Sequence, residues 1–584
     1  MWALFAIVIM LTSALSFGGG YKWAEATLPT ADGVWGQWLR DAYIWATTAL
    51  HLDYATANRV LITNSGKNVT TDSDLTWVGG DTLQVTNVSA TDVYTSQLYV
   101  NSNRFYSENT YDYLVWKDTN YYYRNQHSGA VSSSATFATT INAALANGGS
   151  VLVKDGAYSL TTSMLIVKNN TQLTFSNGAI ITLTNNANCD MITINAGGTY
   201  KMNDVTIRGG RLEGNYINEA SGGGINGYRV AYTIIDGIKI YNTKGIGILI
   251  STDQNEDITR NRVQNCMLWG TQSWGLKITA TGGGGSNAAN ANMITNNFFA
   301  FTTGGIYLIN SSVNEIVNNW FGSQYTTYAI QDRGTGNKIV NNHFEYSPSD
   351  SIFIDGVAGG NQALVTGNTI ISPTGKGIHT SAARTTITGN TIKSSTSYGI
   401  FLESSYCTVT SNTVSLSGSH GIFILGSLTN ELVNNNNIYD PTLTGIYNQA
   451  SHSTFSGNII TMGTRGIQLD TCDYNTIIGN GITTWDTYAI LVAGTHNIIH
   501  SNEGFVTENS GTATLLNGQN HVHVTHGLSY TPAAKDINYV FTENPTNAIT
   551  YQYIGNITSS EFLLFANDPG ASNLDFSWLA HKTP

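Results

Sequence analysis

Two carboxylates, Asp355 and Glu403, have His379 midway between them in the sequence and Arg333 a little before the first. These residue types suit acid–base hydrolysis. A carboxylic acid protonates a leaving group, a carboxylate takes a proton from water, an imidazole moves protons or holds a hydroxyl, and a neighbouring cation favours the ionised carboxylate. The intervals between the four residues are 22, 24 and 24. Such spacing has meaning only if the chain repeats with that period and stacks the residues in register.

It does repeat. The stretch TTITGNTIKSSTSYGIFLESSYC (385–407) is followed at once by TVTSNTVSLSGSHGIFILGSLTN (408–430). An apolar residue, two positions, Asn, one position and another apolar residue precede a Gly-Ile strand about nine residues later. The Asn falls at 297, 319, 342, 368, 390, 412, 436, 458, 480 and 502. Upstream, the apolar pair persists around Asn261 and more loosely around Gly210, with the Gly-rich insert TGGGGSNAANAN in between.

Leucine-rich repeats and parallel β-helices both have periods near 22. The framework here is Ile, Val and Phe separated by Thr in short alternating runs, without a helical segment, which predicts an all-β solenoid of short strands. Successive coils then stack at about 4.8 Å. The repeated Asn suits a corner, because it tolerates left-handed backbone angles and its amide bonds to the same amide in the next coil.

In each Gly-Ile-x-Φ-x strand the two x positions face outward and form columns. The first reads Lys277, Tyr307, Gln331, Phe353, His379, Phe401, Phe423, Tyr447, Gln468; the second reads Ile309, Arg333, Asp355, Ser381, Glu403, Leu425, Gln449, Asp470. The stripe of Tyr307, Phe353, Phe401, Phe423 and Tyr447 requires a cover, either a partner subunit or stacked sugar rings. Asp355 and Glu403 lie two coils apart, about 9.6 Å by strand spacing. Inverting glycosidases hold their carboxyl groups about 6.5–9.5 Å apart. Glu403, flanked by Phe401 and Phe423, is therefore the candidate acid, Asp355 beside Arg333 the candidate base, and His379 a polar group between them. Trp320, His343 and Glu345, with Phe298, form a second outward cluster of candidate sugar contacts.

Composition narrows the partners. The 584 residues carry 11% charged side chains and a net charge of -12, with no Lys- or Arg-rich run, so nothing marks a nucleic-acid surface. The four cysteines match no zinc spacing, and neither a metal nor a cofactor is expected. Residues 1–17 are apolar, too short to span a bilayer comfortably, and end in small-x-small at Ala14 to Ser16. They suit either a signal peptide or a hydrophobic N-terminus buried at an interface. His521, His523 and His526 alternate, as a polar strand face leading into a turn does.

The segment SSATFATTINAALANGGSVLVKDGAYSLTTSMLIVKNNTQLTFSNGAIITL (132–183) resembles the entry to pectin-lyase-like right-handed parallel β-helices, in which a short helix, here 137–146, caps the open end. The resemblance covers about 132–506 and implies a right-handed helix of single coils. Residues 55–87, within an expected β-rich attachment region 21–131, resemble the short β-repeat near the start of bacteriophage tail-fibre proteins. The C-terminal part, 507–584, is similar to the antiparallel β-domains that end such fibres. Together they resemble a bacteriophage tailspike. That implies a homotrimer on a virion tail, or an extracellular protein, that binds a cell-surface polysaccharide and cleaves it by glycoside hydrolysis. A noncatalytic adhesin and a secreted monomeric polysaccharide lyase using Arg333 or Lys277 are the other implied readings. GSHGIFILGSL (418–428) is similar to the His-Gly strand of polygalacturonases and nominates His420, but Ser397 and Tyr398 stand where that family has an acidic pair.

Overall fold

The computed structural model describes residues 110–584, except 196, 199, 254–256, 282–288, 324–325, 357–361, 543–547, 568–569, 571–572 and 582–584, together with short strands between 61 and 105. The apolar segment 1–20 lies outside the described residues, as does much of the attachment region. Within 55–87, two antiparallel pairs are described, Leu61–Thr63 with Val69–Thr71 and Leu75–Val78 with Thr82–Val85.

One coil shows how the repeat becomes structure. Thr386–Thr388, Thr391–Lys393 and Ile400–Leu402 are its three strands. The next coil repeats them as Thr408–Thr410, Thr413–Ser415 and Ile422–Ile424, pairing in parallel with Ile387 on Val409, Ile392 on Val414 and Ile400 on Ile422. Stacking of this kind makes three long sheets of 18, 14 and 16 strands, called here the first, second and third in their order along a coil. The chain is a right-handed parallel β-helix. Ile387, Ile392, Ile400 and Leu402 are fully buried and belong to one continuous interior. Each such side chain contributes about 1.5–3 kcal/mol by leaving water.

The open end is closed by the helix Phe137–Leu145. Thr136 caps it by accepting the Thr139 N–H, and Phe137, Ile141 and Leu145 are buried over the first coil. An Ile141→Asp change would put an unpaired charge in that seal. Tyr113–Lys117 pairs in parallel with the first coil strand Ser150–Val153 and in antiparallel with Tyr121–Asn125, so strands inside 21–131 join the helix directly.

The corner asparagines divide the labour differently from the sequence expectation. Asn297, Asn319, Asn342 and their successors are buried, but the left-handed angle falls one residue earlier, at Asn296, Asn318, Asn341, Gly367, Gly389 and Ser411. The residue that turns the corner points outward, whereas the next one points inward and meets its counterpart. Asn412 donates through Nδ2 to Asn436 Oδ1 at 2.9 Å and to Ile387 O at 3.0 Å, while its backbone N–H shares the Asn436 oxygen at 3.0 Å. Asn261 is not part of this ladder. Cys266 holds that slot, its N–H donating to Asn297 Oδ1, and Asn261 begins a second ladder through Asn292, Asn314 and Asn337.

The second ladder later passes through Cys407 and Glu431, where the Cys407 N–H donates to Glu431 Oε2 at 2.7 Å and Oε1 has no hydrogen-bond partner among the described residues. Burial drives the Glu431 pKa up to about 8. All four cysteines are free, and three are buried.

After the last coil, two three-stranded antiparallel sheets enclose Phe562, Phe576 and Trp578. His526 is buried and accepts the Leu528 N–H, a turn-forming role, while His523 pairs with Glu561 at 3.0 Å. Among the described residues, no helix is long and apolar enough to cross a membrane.

Candidate functional site

The third-sheet strands share a small residue before the first inward Ile, and its necessity is steric. A Cβ on Gly399 would lie 2.2 Å from Val414 Cγ1 and 2.6 Å from Gly421 O. With that register imposed, Tyr307, Gln331, Phe353, His379, Phe401, Phe423 and Tyr447 stack coil by coil in the order read from sequence. Arg333 pairs with Ile309, and the pairing of Thr380 with Leu402 puts Ser381 beside Glu403.

A further outward column precedes the small residues, and it changes the aromatic stripe. Tyr328, Asp350, Lys376, Tyr398 and His420 occupy it. Tyr398 packs 5.2 Å from the Phe401 ring and 5.0 Å from Phe423, His420 stacks 4.7 Å from Tyr447, and Tyr328 lies 5.0 Å from Phe353. The Lys376 ammonium sits 5.0 Å over the Phe401 ring. Phe401 and His379 are consequently 6% and 7% exposed. For Phe401, the cover that the sequence demanded comes from the chain itself; Tyr307, Phe353, Phe423 and Tyr447 stay half-buried.

The charged groups form two centres. In one, Arg333 Nε lies 3.0 Å from Asp355 Oδ2, off the hydrogen-bonding direction, and Gln331 Nε2 donates to the same oxygen at 3.2 Å. In the other, His379 bridges two acids. Its Nδ1 is 2.8 Å from Asp350 Oδ2, and its Nε2 is 3.0 Å from Glu403 Oε2, a close contact without hydrogen-bond alignment. Burial works to raise the Asp350 pKa, but the bonds from His379 and the Lys376 N–H, with the Lys376 ammonium nearby, outweigh it and hold the carboxyl below its ordinary value. Asp355 and Glu403 both lean toward the preceding coil, so the two-coil offset between them is kept.

Asp350 was not among the sequence candidates. Its signal was its place before a small residue, Ser351, the position that carries Tyr398 and His420 in later coils. His420 faces Tyr398 and Tyr447 with its pKa lowered to about 4, mainly by burial and also by Arg465. Farther along, Tyr447 donates to Asp470 Oδ2 at 2.5 Å. At the opposite end, Lys277 lies 5.4 Å over the Tyr307 ring, which stacks on Trp274 at 4.8 Å. Among the described residues, no group of three His, Cys, Asp or Glu is arranged for a metal ion.

Trp320, His343 and Glu345 do not join these residues. They lie on the second sheet, where Phe298, Trp320 and His343 pair in successive coils and His343 Nε2 meets Glu345 Oε1 at 2.9 Å.

Residues 377–528 match a family described as a right-handed β-helix region. No curated protein sequence matches the chain. Among solved structures, a mutant tailspike protein of E. coli bacteriophage HK620 in complex with a pentasaccharide is similar at 12% identity, covering 78% of this chain and 92% of that one, with a TM-score of 0.45. The Dettilon tailspike protein is similar at 13% identity over 77% and 92%, with a TM-score of 0.42. The mannuronan C-5 epimerase A-module of Azotobacter vinelandii is similar at 13% identity over 63% and 93%, with a TM-score of 0.34.

Proposed function

We propose that the third sheet binds a cell-surface polysaccharide and hydrolyses one of its glycosidic bonds. The observation that carries this reading is the line of ionisable groups, Asp350, His379 and Glu403 with Asp355 two coils from Glu403, set against half-buried aromatic rings. Sugar C–H faces cover such rings, and sugar hydroxyls meet the charged groups beside them.

In this mechanism Glu403 gives its proton to the leaving glycosidic oxygen as the anomeric C–O bond breaks. Water attacks the anomeric carbon from the opposite face and loses a proton to Asp355. The separation of about 9.6 Å leaves room for that water and implies inversion. His379, oriented by Asp350, holds the Glu403 carboxyl in place. The protein would act as a homotrimeric spike on a virion tail or outside the cell, as the similarity to tailspikes suggests.

The test is incubation with purified bacterial capsular and O-chain polysaccharides. New reducing ends without ultraviolet-absorbing double bonds are expected, and Glu403→Gln and Asp355→Asn should abolish them. Full activity in either variant would sink the assignment. Unsaturated products would mean a lyase, and binding without products an adhesin; sedimentation of the intact protein tests the trimer.

A further inference from the structure

We infer that the second sheet carries a separate, non-cleaving polysaccharide site, which runs from Trp320 along the stacking direction to a cavity beside Glu213. It goes beyond the reaction proposed for the third sheet and uses none of its residues.

Among the described residues, the outward column of the second sheet that holds Phe298 and Trp320 carries no other Phe, Tyr or Trp, while Tyr439, 45% exposed, stands apart on the neighbouring column. Phe298 and Trp320 pair across adjacent coils, whereas the same column continues after His343 as Thr369, Thr391 and Thr413. The fold is built without rings at this position, so their presence needs another cause. Trp269 lies nearly parallel to Phe298 at 6.1 Å, Phe298 is 6.0 Å from Trp320, and Trp320 meets His343 at 5.1 Å. Trp320 is 47% exposed, and among the described residues no column covers it as Tyr398 covers Phe401.

Polar groups lie at both ends of this platform. At one end is the His343–Glu345 pair. At the other is a cavity of about 240 Å³ lined by Glu213, Asn215, Tyr216 and Asn242, with Tyr241 pairing between Glu213 and Trp269. Arg211 pairs with Glu213 and lies over the Tyr241 ring. From the Arg211 strand to the His343 strand there are five coil steps, about 24 Å.

A second protein subunit is the other occupant that exposed rings invite, but the polar content argues against it. The cores of protein interfaces are depleted of charge, and a protein surface laid here would strip water from Glu213 and Glu345. A glycan covers the rings with its C–H faces and returns hydroxyls to the carboxylates and amides. A flexible polymer anchored on this sheet would also raise its effective concentration at the third.

The experiment uses the full-length protein with capsular and O-chain oligosaccharides, followed by hydrogen exchange and equilibrium binding. Protection is expected over Met267–Trp269, Phe298–Ala300 and His343–Glu345 as well as over the third sheet. Trp320→Ala should weaken binding at the second sheet about tenfold while leaving the melting temperature and the third-sheet protection unchanged, and Trp320→Phe should restore most of it. Protection confined to the third sheet would overturn this inference and leave the proposed function standing. A fall in oligomer mass in Trp320→Ala would overturn it by making the face a subunit contact. Absence of any binding would overturn both readings.

Discussion

The second and third sheets are built by the same coils around one continuous buried interior, yet their outer faces differ in kind. On the third, rings and charges interlock: His379 is 7% exposed between two acids, and Phe401 is covered by Tyr398 and Lys376. On the second, rings stand open, with Trp320 47% exposed and one polar pair beside it. Desolvated, mutually held charges suit chemistry, because electrostatic interactions strengthen as water is excluded. Open rings between polar groups suit holding. A repeat that places every side chain at a known height lets one scaffold carry both.

The largest test of that contrast is Glu403→Gln. Loss of an acid catalyst should lower reducing-end release about 10²–10⁴-fold, with oligosaccharide binding at the second sheet unchanged. If binding there falls as well, the two faces are not independent.

Asn319→Ala is next. It leaves the Asn297 N–H and Nδ2 without their acceptor and removes the bonds to Ile294 O and Asn342 Oδ1. A loss on the order of 3 kcal/mol is expected in denaturant melts. Hydrogen exchange should rise first around Trp320, the next residue, so the second face should lose its ligand before the third does.

Glu431 supplies a pH test of the interior both faces share. Its pKa is about 8 in the folded protein against 4.5 for the free side chain, so the folded state binds the extra proton between those values. Its stabilising effect is complete below about 4.5 and is lost as pH rises through about 8, at up to about 1.4 kcal/mol per pH unit. Glu431→Gln should flatten that slope in melts between about pH 5 and 8; an unchanged slope would place the proton elsewhere.

The smallest effect is expected for Phe423→Ala. Removing a half-buried ring should weaken third-sheet binding by about 1 kcal/mol, roughly fivefold, with none at the second sheet.

Much of this architecture was legible in the residues. The spacing of the Asn residues determined the coil, and alternation within Gly-Ile-x-Φ-x determined the columns, so that Phe401 over Phe423 and Arg333 next to Asp355 follow from spacing alone. Two signals were present but misread. The dipeptides Asn-Asn, Gly-Asn and Ser-Asn separate the left-handed residue from the ladder residue, and the residue before each small one is itself outward. The first error gave both jobs to one Asn. The second left out Asp350 and Tyr398.

The sequence by itself determined the period, the strand faces and the stacking order, because parallel pairing at a constant rise converts spacing into height. Only the tertiary structure decided which outward side chains meet. Neighbours in space come from different corners of different coils, and the lean of a side chain is set by its partners: His379 reaches to Asp350 and Glu403, Tyr398 folds over Phe401, and Trp320 is left open on another sheet.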